Sequence, residues 1–540
     1  MLYKLWTAFP ALALMVVFAN AAAIDSCSSF KLSNVSNTVV AGRTFYKAGD
    51  NVTVVNEYQS VSTNDLPAFC RIELTITTNS TANSSAHTEV WLPDDWNGRF
   101  VALGTGGFSG GAAVLDLAFT AAKQGYAGMS TDTGHQANAG DGSWAGPHND
   151  NAIVDYAWRA THLSVLSAKE VIKQYYGKEQ KKSYFLGCSG GGRQGFKEVQ
   201  DFPDDFDGVV IGSPANSLDH ILASVAHSAL LTLPVNSSRF IDEDIWTNVI
   251  HPEVLKQCDA LDGVADGILG DPRRCSFRPE TLTCLPNQNT STCLSLDQID
   301  TLHKLYTDYY ETNQTYIFGG YYPGGEVGMP TYLFSSQPMP LAIKIAVDAY
   351  RYIVTNDTTW DLDRFDFSAV RQAESVLSAQ TNANSPNLTA FASAPHSGKI
   401  IHYVGWAENF ISAGGSVHYY ETVHSWMKSH GGADMDTFYR LFPVPGMEHC
   451  MGGFGPISFG GSSQAGSGYP ALKNDPEHDI LAAMVHWVEN DVAPETIIGT
   501  AYKNNTVAEG VAFTRPICKY PATAIYQGGD VNSATSFKCV

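Results

Sequence analysis

Tyr184-Phe185-Leu186-Gly187-Cys188-Ser189-Gly190-Gly191-Gly192-Arg193-Gln194-Gly195 is the stretch that decides how this chain folds. An aromatic and apolar run leads into glycines grouped around one serine, and Phe196-Lys197-Glu198-Val199 follows. The pattern predicts a buried strand, a sharp turn and the start of a helix. A serine on such a turn is held at strained backbone angles, and neighbours without Cβ atoms let strand and helix pass closely. The helix points its first N–H groups and its positive dipole end at the serine, where a developing oxyanion would be stabilised. Glycine-rich turns containing serine are common, so the weight rests on the strand before this one and the helix after it.

Working outward, Phe100-Val101-Ala102-Leu103 reads as a strand running into Gly104-Thr105-Gly106-Gly107-Phe108-Ser109-Gly110-Gly111. Gly187 to Gly191 fits G-x-S-x-G, the nucleophile elbow of α/β-hydrolases, and that fold takes a second oxyanion donor from a loop after an early strand. Gly190, Gly106 and Gly107 are therefore the candidate oxyanion donors. A phosphate cradle is the other reading of the glycine loop, but the lysine and following Ser/Thr of a P-loop are missing. Tyr126-Ala127-Gly128-Met129-Ser130 is a further strand, ending in Thr131-Asp132-Thr133-Gly134-His135. Asp132 and His135 precede the serine, whereas acid and base follow it in this fold, so they are assigned to a turn near the site. The stretch from Phe206 to Ala215 supplies another strand. Alternation of strands with helical segments such as 151–176 predicts a mainly parallel sheet covered on both faces. Over 218–397 the pattern turns irregular and holds four of the ten cysteines. It is read as an inserted lid between the two parts of a catalytic domain, 22–217 and 398–540. Sheet character resumes at Lys399-Ile400-Ile401-His402-Tyr403-Val404, before Gly405-Trp406-Ala407-Glu408-Asn409. A last strand, Phe438-Tyr439-Arg440-Leu441-Phe442, runs into Pro443-Val444-Pro445-Gly446-Met447-Glu448-His449-Cys450.

The chain of 540 residues is long enough for one large core plus an insertion. Residues 1–21 carry Lys4, an apolar run and Ala19-Asn20-Ala21, the pattern of a secretory signal peptide. No later segment approaches the roughly 20 apolar residues of a membrane span. Ten cysteines fit an oxidising compartment, and N-glycosylation sequons at Asn34, Asn51, Asn79, Asn83, Asn236, Asn289, Asn313, Asn356, Asn387 and Asn504 fit a secreted, extracellular glycoprotein. A formal charge of −21 argues against a nucleic-acid or anionic-membrane partner. Oligomeric state is left open.

A serine hydroxyl needs a base within hydrogen-bond reach, itself oriented by an acid. His449, on a glycine-flanked loop after the last strand, is the histidine in the right place. His402 and His418 fall on or near strand and helix segments, and His424 and His430 look like exposed helix positions. Glu408, after the penultimate strand, stands where the acid belongs, with a solvated loop carboxylate as the competing reading. Asp434 and Asp436 are the fallback acids. A separate constellation, Cys258-Asp259-Ala260-Leu261-Asp262-Gly263-Val264-Ala265-Asp266-Gly267-Ile268, is closed by Cys275. Its carboxylates could gather around a hard cation, although the spacing is not that of an EF-hand and a solvated Asp-Gly turn fits equally well.

Cysteine directly before the serine and directly after the histidine, Cys188-Ser189 and His449-Cys450, resembles the tannase and feruloyl esterase family. The resemblance extends to the glycine loop, Thr131 to His135, Phe202-Pro203-Asp204-Asp205-Phe206-Asp207-Gly208, and Gly405-Trp406-Ala407-Glu408. It implies an α/β-hydrolase with a large lid, and a disulfide between Cys188 and Cys450. Family resemblance and proximity give the other pairs as Cys27–Cys70, Cys258–Cys275, Cys284–Cys293 and Cys518–Cys539. It also implies a structural calcium ion in the lid, held by the side chains of Asp259, Asp262 and Asp266 and the carbonyls of Val264 and Ile268. The chain departs from the family at Glu408, where aspartate is usual. The substrate implied is a hydroxycinnamate ester, such as feruloyl groups on plant wall polysaccharide. A tannase acting on galloyl esters is the runner-up, and an inactive wall-binding glycoprotein on the same fold is the rival from another class.

Overall fold

Alternating side chains along short apolar runs build the centre of the molecule. The computed structural model describes residues 26–334 and 339–540, and the expected signal peptide lies outside the described residues. Numbering the strands of the central sheet in chain order gives β1 (Thr38–Tyr46), β2 (Phe69–Asn79), β3 (Ser84–Pro93), β4 (Arg99–Leu103) and β5 (Ala127–Thr131). They are followed by β6 (Lys182–Cys188), β7 (Gly208–Gly212), β8 (Lys399–Gly405) and β9 (Tyr439–Val444). The spatial order is β1-β2-β3-β5-β4-β6-β7-β8-β9. The six strands from β5 to β9 in that order run parallel, and β1 to β3 form an antiparallel edge.

Successive residues of a strand face opposite sides, and both sides of this sheet are covered. Phe100, Ala102, Phe185, Val209 and Ile211 pack under α1 (Ala160–Tyr176), α2 (Gly190–Asp201) and the helix Ala413–Ser429. Val101, Leu103, Tyr184, Leu186 and Val210 pack on the other side against Leu117, Ala121 and the helix Ile480–Asn490. Two covered faces are why the strands read as continuous apolar runs. This is the expected α/β-hydrolase arrangement, with β6 and α2 flanking the serine at its middle.

The segment 218–397 enters between β7 and β8 and is more regular than its sequence suggests. It contains the helices Leu218–Thr232, His251–Cys258, Leu296–Leu305, Leu341–Ala349 and Phe367–Leu377. Local signals mark several of them: Ser295 and Gln298 form a capping box, and Asp366 caps the last of these helices. All but the first are 8 to 11 residues long, so their apolar stripes are brief and are interrupted by loops bearing the cysteines and sequons. Ile221, Leu222, Val225, Trp246, Ile299, Leu302, Tyr350 and Val370 make a core of their own, which also takes in Phe108 and Tyr156 from the catalytic part. After β9 the chain adds a hairpin, Thr496–Tyr502 with Val511–Cys518, and a smaller pair, Ala524–Tyr526 with Phe537–Cys539. The five disulfides are the five expected pairs, and no described cysteine is free.

Candidate active site

Ser189 sits between β6 and α2 at φ 60° and ψ −119°, a left-handed backbone that a side chain rarely adopts. Its N–H donates to Gly212 O at 2.9 Å, and its carbonyl accepts from the N–H groups of Arg193 and Ala215, both at 3.0 Å. Close packing around α2 keeps the turn in place. A Cβ on Gly104 would lie 2.6 Å from Gly191 Cα, so strand β4 and the helix meet backbone to backbone. Gln194 then clamps the glycine loop: it accepts from Thr105 N–H at 3.0 Å and donates to Thr105 Oγ1 at 3.1 Å. Arg193, fully buried, donates to the carbonyls of Ala157 and Tyr156 and lies over the Tyr156 ring at 4.5 Å. These two anchors were missed in the sequence, where both side chains read only as helix residues.

His449 and Glu408 come together. His449 Nδ1 lies 2.6 Å from Glu408 Oε1, and the same oxygen accepts the N–H groups of Phe410 at 3.3 Å and Ile411 at 3.0 Å. Glu408 is 2% exposed. The two loops carrying these residues are joined directly, with Ala407 N–H donating to Met447 O at 3.0 Å. A Cβ on Gly405 would stand 2.1 Å from that same carbonyl oxygen, so only glycine fits where the loops cross. His449 Nε2 is buried with no protein hydrogen-bond partner among the described residues, and it lines the same cavity as Ser189. Cys188 and Cys450 are bonded, with Cα atoms 6.0 Å apart, tying the serine turn to the histidine loop across 262 residues of sequence. Glu448 lies beside this pair, and burial, with the nearby Glu408 charge, pushes its carboxyl pKa up.

The other candidates lie elsewhere. Asp434 and Asp436 are exposed, Asp434 accepting from the Asp436 N–H and Asp436 facing Lys519 at 3.3 Å. His402 is buried between Tyr439 and Ser416, and burial lowers its pKa to about 3. His418 stacks on Tyr316 and His430 on Trp426. Asp132 accepts from His87 N–H and Gly134 N–H, while His135 bonds Phe108 O and stacks on Trp144. That turn holds the glycine loop, as its place in the sequence implied.

The glycine loop faces the serine turn. A Cβ on Gly190 would lie 3.0 Å from Gly107 N, and one on Gly106 would lie 3.0 Å from the Tyr58 hydroxyl, so the loop packs against the residue after the serine on one side and against Tyr58 on the other. The cavity in front of Ser189 has a volume of about 230 Å³. A cavity of roughly 150 Å³ accepts benzene, so this one accommodates a substituted aromatic ring. Tyr332, Leu341, Ile345 and Phe410 form its apolar wall, the first three from the inserted segment. Ser462 and Ser463 form a polar wall; both bond the buried Asp116, Ser462 Oγ at 2.8 Å and Ser463 N–H at 2.8 Å.

The acidic loop in the inserted segment is ordered by its own backbone. Asp259 accepts from the N–H groups of Asp266 and Gly267, Asp262 from Val264, and Asp266 from Ile268. Burial and the neighbouring carboxylates raise Asp262 to about 6 and push Asp266 up as well. Arg515, from the C-terminal hairpin, pairs with one oxygen of Asp266. The loop presents hard oxygen donors whose negative charges oppose one another.

Comparison with known proteins gives a consistent result. The family described as tannase and feruloyl esterase matches residues 70–540. The chain is 36% identical over 507 residues to probable feruloyl esterase B-1 of Aspergillus flavus, covering 93% of this chain and 91% of that one. The crystal structure of feruloyl esterase B from Aspergillus oryzae superposes with a TM-score of 0.87 at 35% identity, over 95% of this chain and 99% of that one. Tannin acyl hydrolase from Aspergillus niger shares the fold, with a TM-score of 0.71 at 22% identity, over 95% of this chain and 94% of that one. The chain belongs to the tannase and feruloyl esterase family of carboxylic ester hydrolases.

Proposed function

We propose that this chain is a secreted feruloyl esterase that releases hydroxycinnamic acids from plant wall polysaccharide through an acyl-enzyme. Ser189 Oγ attacks the ester carbonyl while His449 Nε2 takes its proton; His449 then hands that proton to the leaving alcohol. Water, deprotonated by the same nitrogen, releases the acid and restores the serine. Glu408 fixes the imidazole tautomer and stabilises the imidazolium. The N–H groups of Gly190 and Gly107 receive the oxyanion. One observation carries this reading: His449 is held by Glu408 through Nδ1 while its unpartnered Nε2 lines the cavity of Ser189.

The inserted segment acts as a lid that supplies the apolar wall for the aryl ring. Calcium, when bound by Asp259, Asp262 and Asp266 with the carbonyls of Val264 and Ile268, supplies charge that holds this loop and takes no part in the chemistry. Secretion agrees with the five disulfides. Initial rates with methyl ferulate, methyl caffeate and methyl gallate test the assignment. The expected order places both hydroxycinnamates far above gallate; gallate as the best substrate would make the enzyme a tannase instead.

A further inference from the structure

We propose that the Tyr58 hydroxyl is a third donor to the oxyanion, beside the N–H groups of Gly190 and Gly107; this rests on the ester-hydrolase reading above. Tyr58 comes from the short loop between the strands Val52–Val55 and Ser60–Thr63, far from the elbow in sequence. That loop is fastened to the glycine loop through Asn56, whose Oδ1 accepts from Tyr58 N–H at 2.9 Å and Gln59 N–H at 2.8 Å. Its Nδ2 donates to Ala112 O at 2.8 Å. The phenol lies against the oxyanion loop itself: a Cβ on Gly106 would stand 3.0 Å from Tyr58 Oη. On the other side of that loop Gly107 N meets Gly190. Tyr58, Gly106, Gly107, Ser189 and His449 all line one cavity.

The direction of the hydroxyl proton follows from its neighbours. Gly106 and the Gln59 side chain both lie near the phenol oxygen. The protonated oxygen keeps one O–H to give, and no described protein acceptor takes it. Burial and the Asp116 charge push the phenol pKa up to about 12, so it stays protonated wherever the enzyme works. When Ser189 Oγ bonds the carbonyl carbon, the π pair moves onto the carbonyl oxygen and the serine proton moves to His449. The oxyanion then accepts three hydrogen bonds and no proton. On collapse the pair returns, the C–O bond to the alcohol breaks, and His449 protonates the alkoxide.

A tyrosine in this cavity has one other job open to it, reading a hydroxyl on the substrate's ring. Methyl cinnamate, which has no ring hydroxyl, separates the two. Tyr58→Phe removes only the hydroxyl. The expected result is a kcat loss on the order of 10- to 100-fold, equal for methyl ferulate and methyl cinnamate, with KM changed less than about twofold. A trifluoromethyl ketone analogue of the ferulate ester, which forms a tetrahedral oxyanion on Ser189, should bind more weakly by a similar factor, while free ferulate binds as before. That comparison of two ligands on the same folded protein excludes a merely structural loss. Unchanged kcat, a loss confined to methyl ferulate, or equal weakening of ketone and ferulate overturns the proposal. Wild-type enzyme inert toward both esters overturns the hydrolase reading and the proposal together.

Discussion

Glu408 reaches His449 although aspartate is the usual residue there, and the backbone accounts for the extra methylene. The turn through Asn409, Phe410 and Ile411 places two N–H groups on Glu408 Oε1, so the longer side chain is held at the distance where it meets Nδ1. Charge, more than length, is then the working property. Glu408→Gln should lower kcat by on the order of 10³ to 10⁴, since it removes the charge and can reverse the tautomer. Glu408→Asp should lose less, and Asp434→Asn and Asp436→Asn should match wild type. Steady-state kinetics of the four variants check this; a normal Glu408→Gln would show that another group orients the histidine. Ser189, His449 and Glu408 were legible because each sits at a fixed place relative to a strand and its turn. Tyr58 and Gln194 were not, because their roles arise from contacts between distant segments that leave no local pattern.

At the scale of elements, the strand–turn–helix at Ser189 and the histidine loop after β9 are separate units joined by Cys188–Cys450. The chain-entropy model values closure of so long a loop at up to roughly 5 kcal/mol. The same bond limits how far Ser189 and His449 can drift apart. Cys188→Ala combined with Cys450→Ala should reduce kcat about 10- to 100-fold, in line with the cost of a small misplacement in a catalytic pair. It should also lower the melting temperature. Kinetics and thermal melts on the double variant check both; normal turnover would mean that the loop contacts through Ala407 and Met447 suffice. The strands were legible because both faces of the sheet are covered. Most helices of 218–397 were hidden by their shortness.

For the molecule as a whole, buried carboxyls and buried histidines set the response to pH. Burial raises Asp132 to about 6 and Asp479 to about 7, both above the usual range near 4. Such groups bind protons more tightly folded than unfolded, so their contribution is present at low pH and lost as pH rises through the folded values. Glu89 works the other way. Burial opposes its charge, but hydrogen bonds from Arg71 and His87 prevail and hold it down to about 2. Its contribution is lost as pH falls below about 4. Buried His402 and His227, lowered to about 3 and about 4, work against Asp132 and Asp479 by losing stability as pH falls below about 6.5. The melting temperature should therefore change little from about pH 8 to about pH 5 and fall below about pH 4. Thermal melts across that range check it, and a midpoint that climbs steadily toward alkaline pH would contradict it.

The acidic loop makes a separate prediction at this scale. Excess chelator should lower the melting temperature, because the carboxylates of Asp259, Asp262 and Asp266 would then repel one another, offset only in part by Arg515 and the loop's own N–H groups. An unchanged melt, with no metal found by elemental analysis, would remove calcium from the account.

The central claim, that esters are cleaved through an acyl group on Ser189, is tested most directly by trapping that group. Enzyme quenched in acid during turnover of p-nitrophenyl ferulate can be digested and mapped by mass spectrometry. A feruloyl group on the peptide containing Ser189, absent from Ser189→Ala, is the predicted result. Continued hydrolysis by Ser189→Ala, or an acyl group on any other residue, would contradict it.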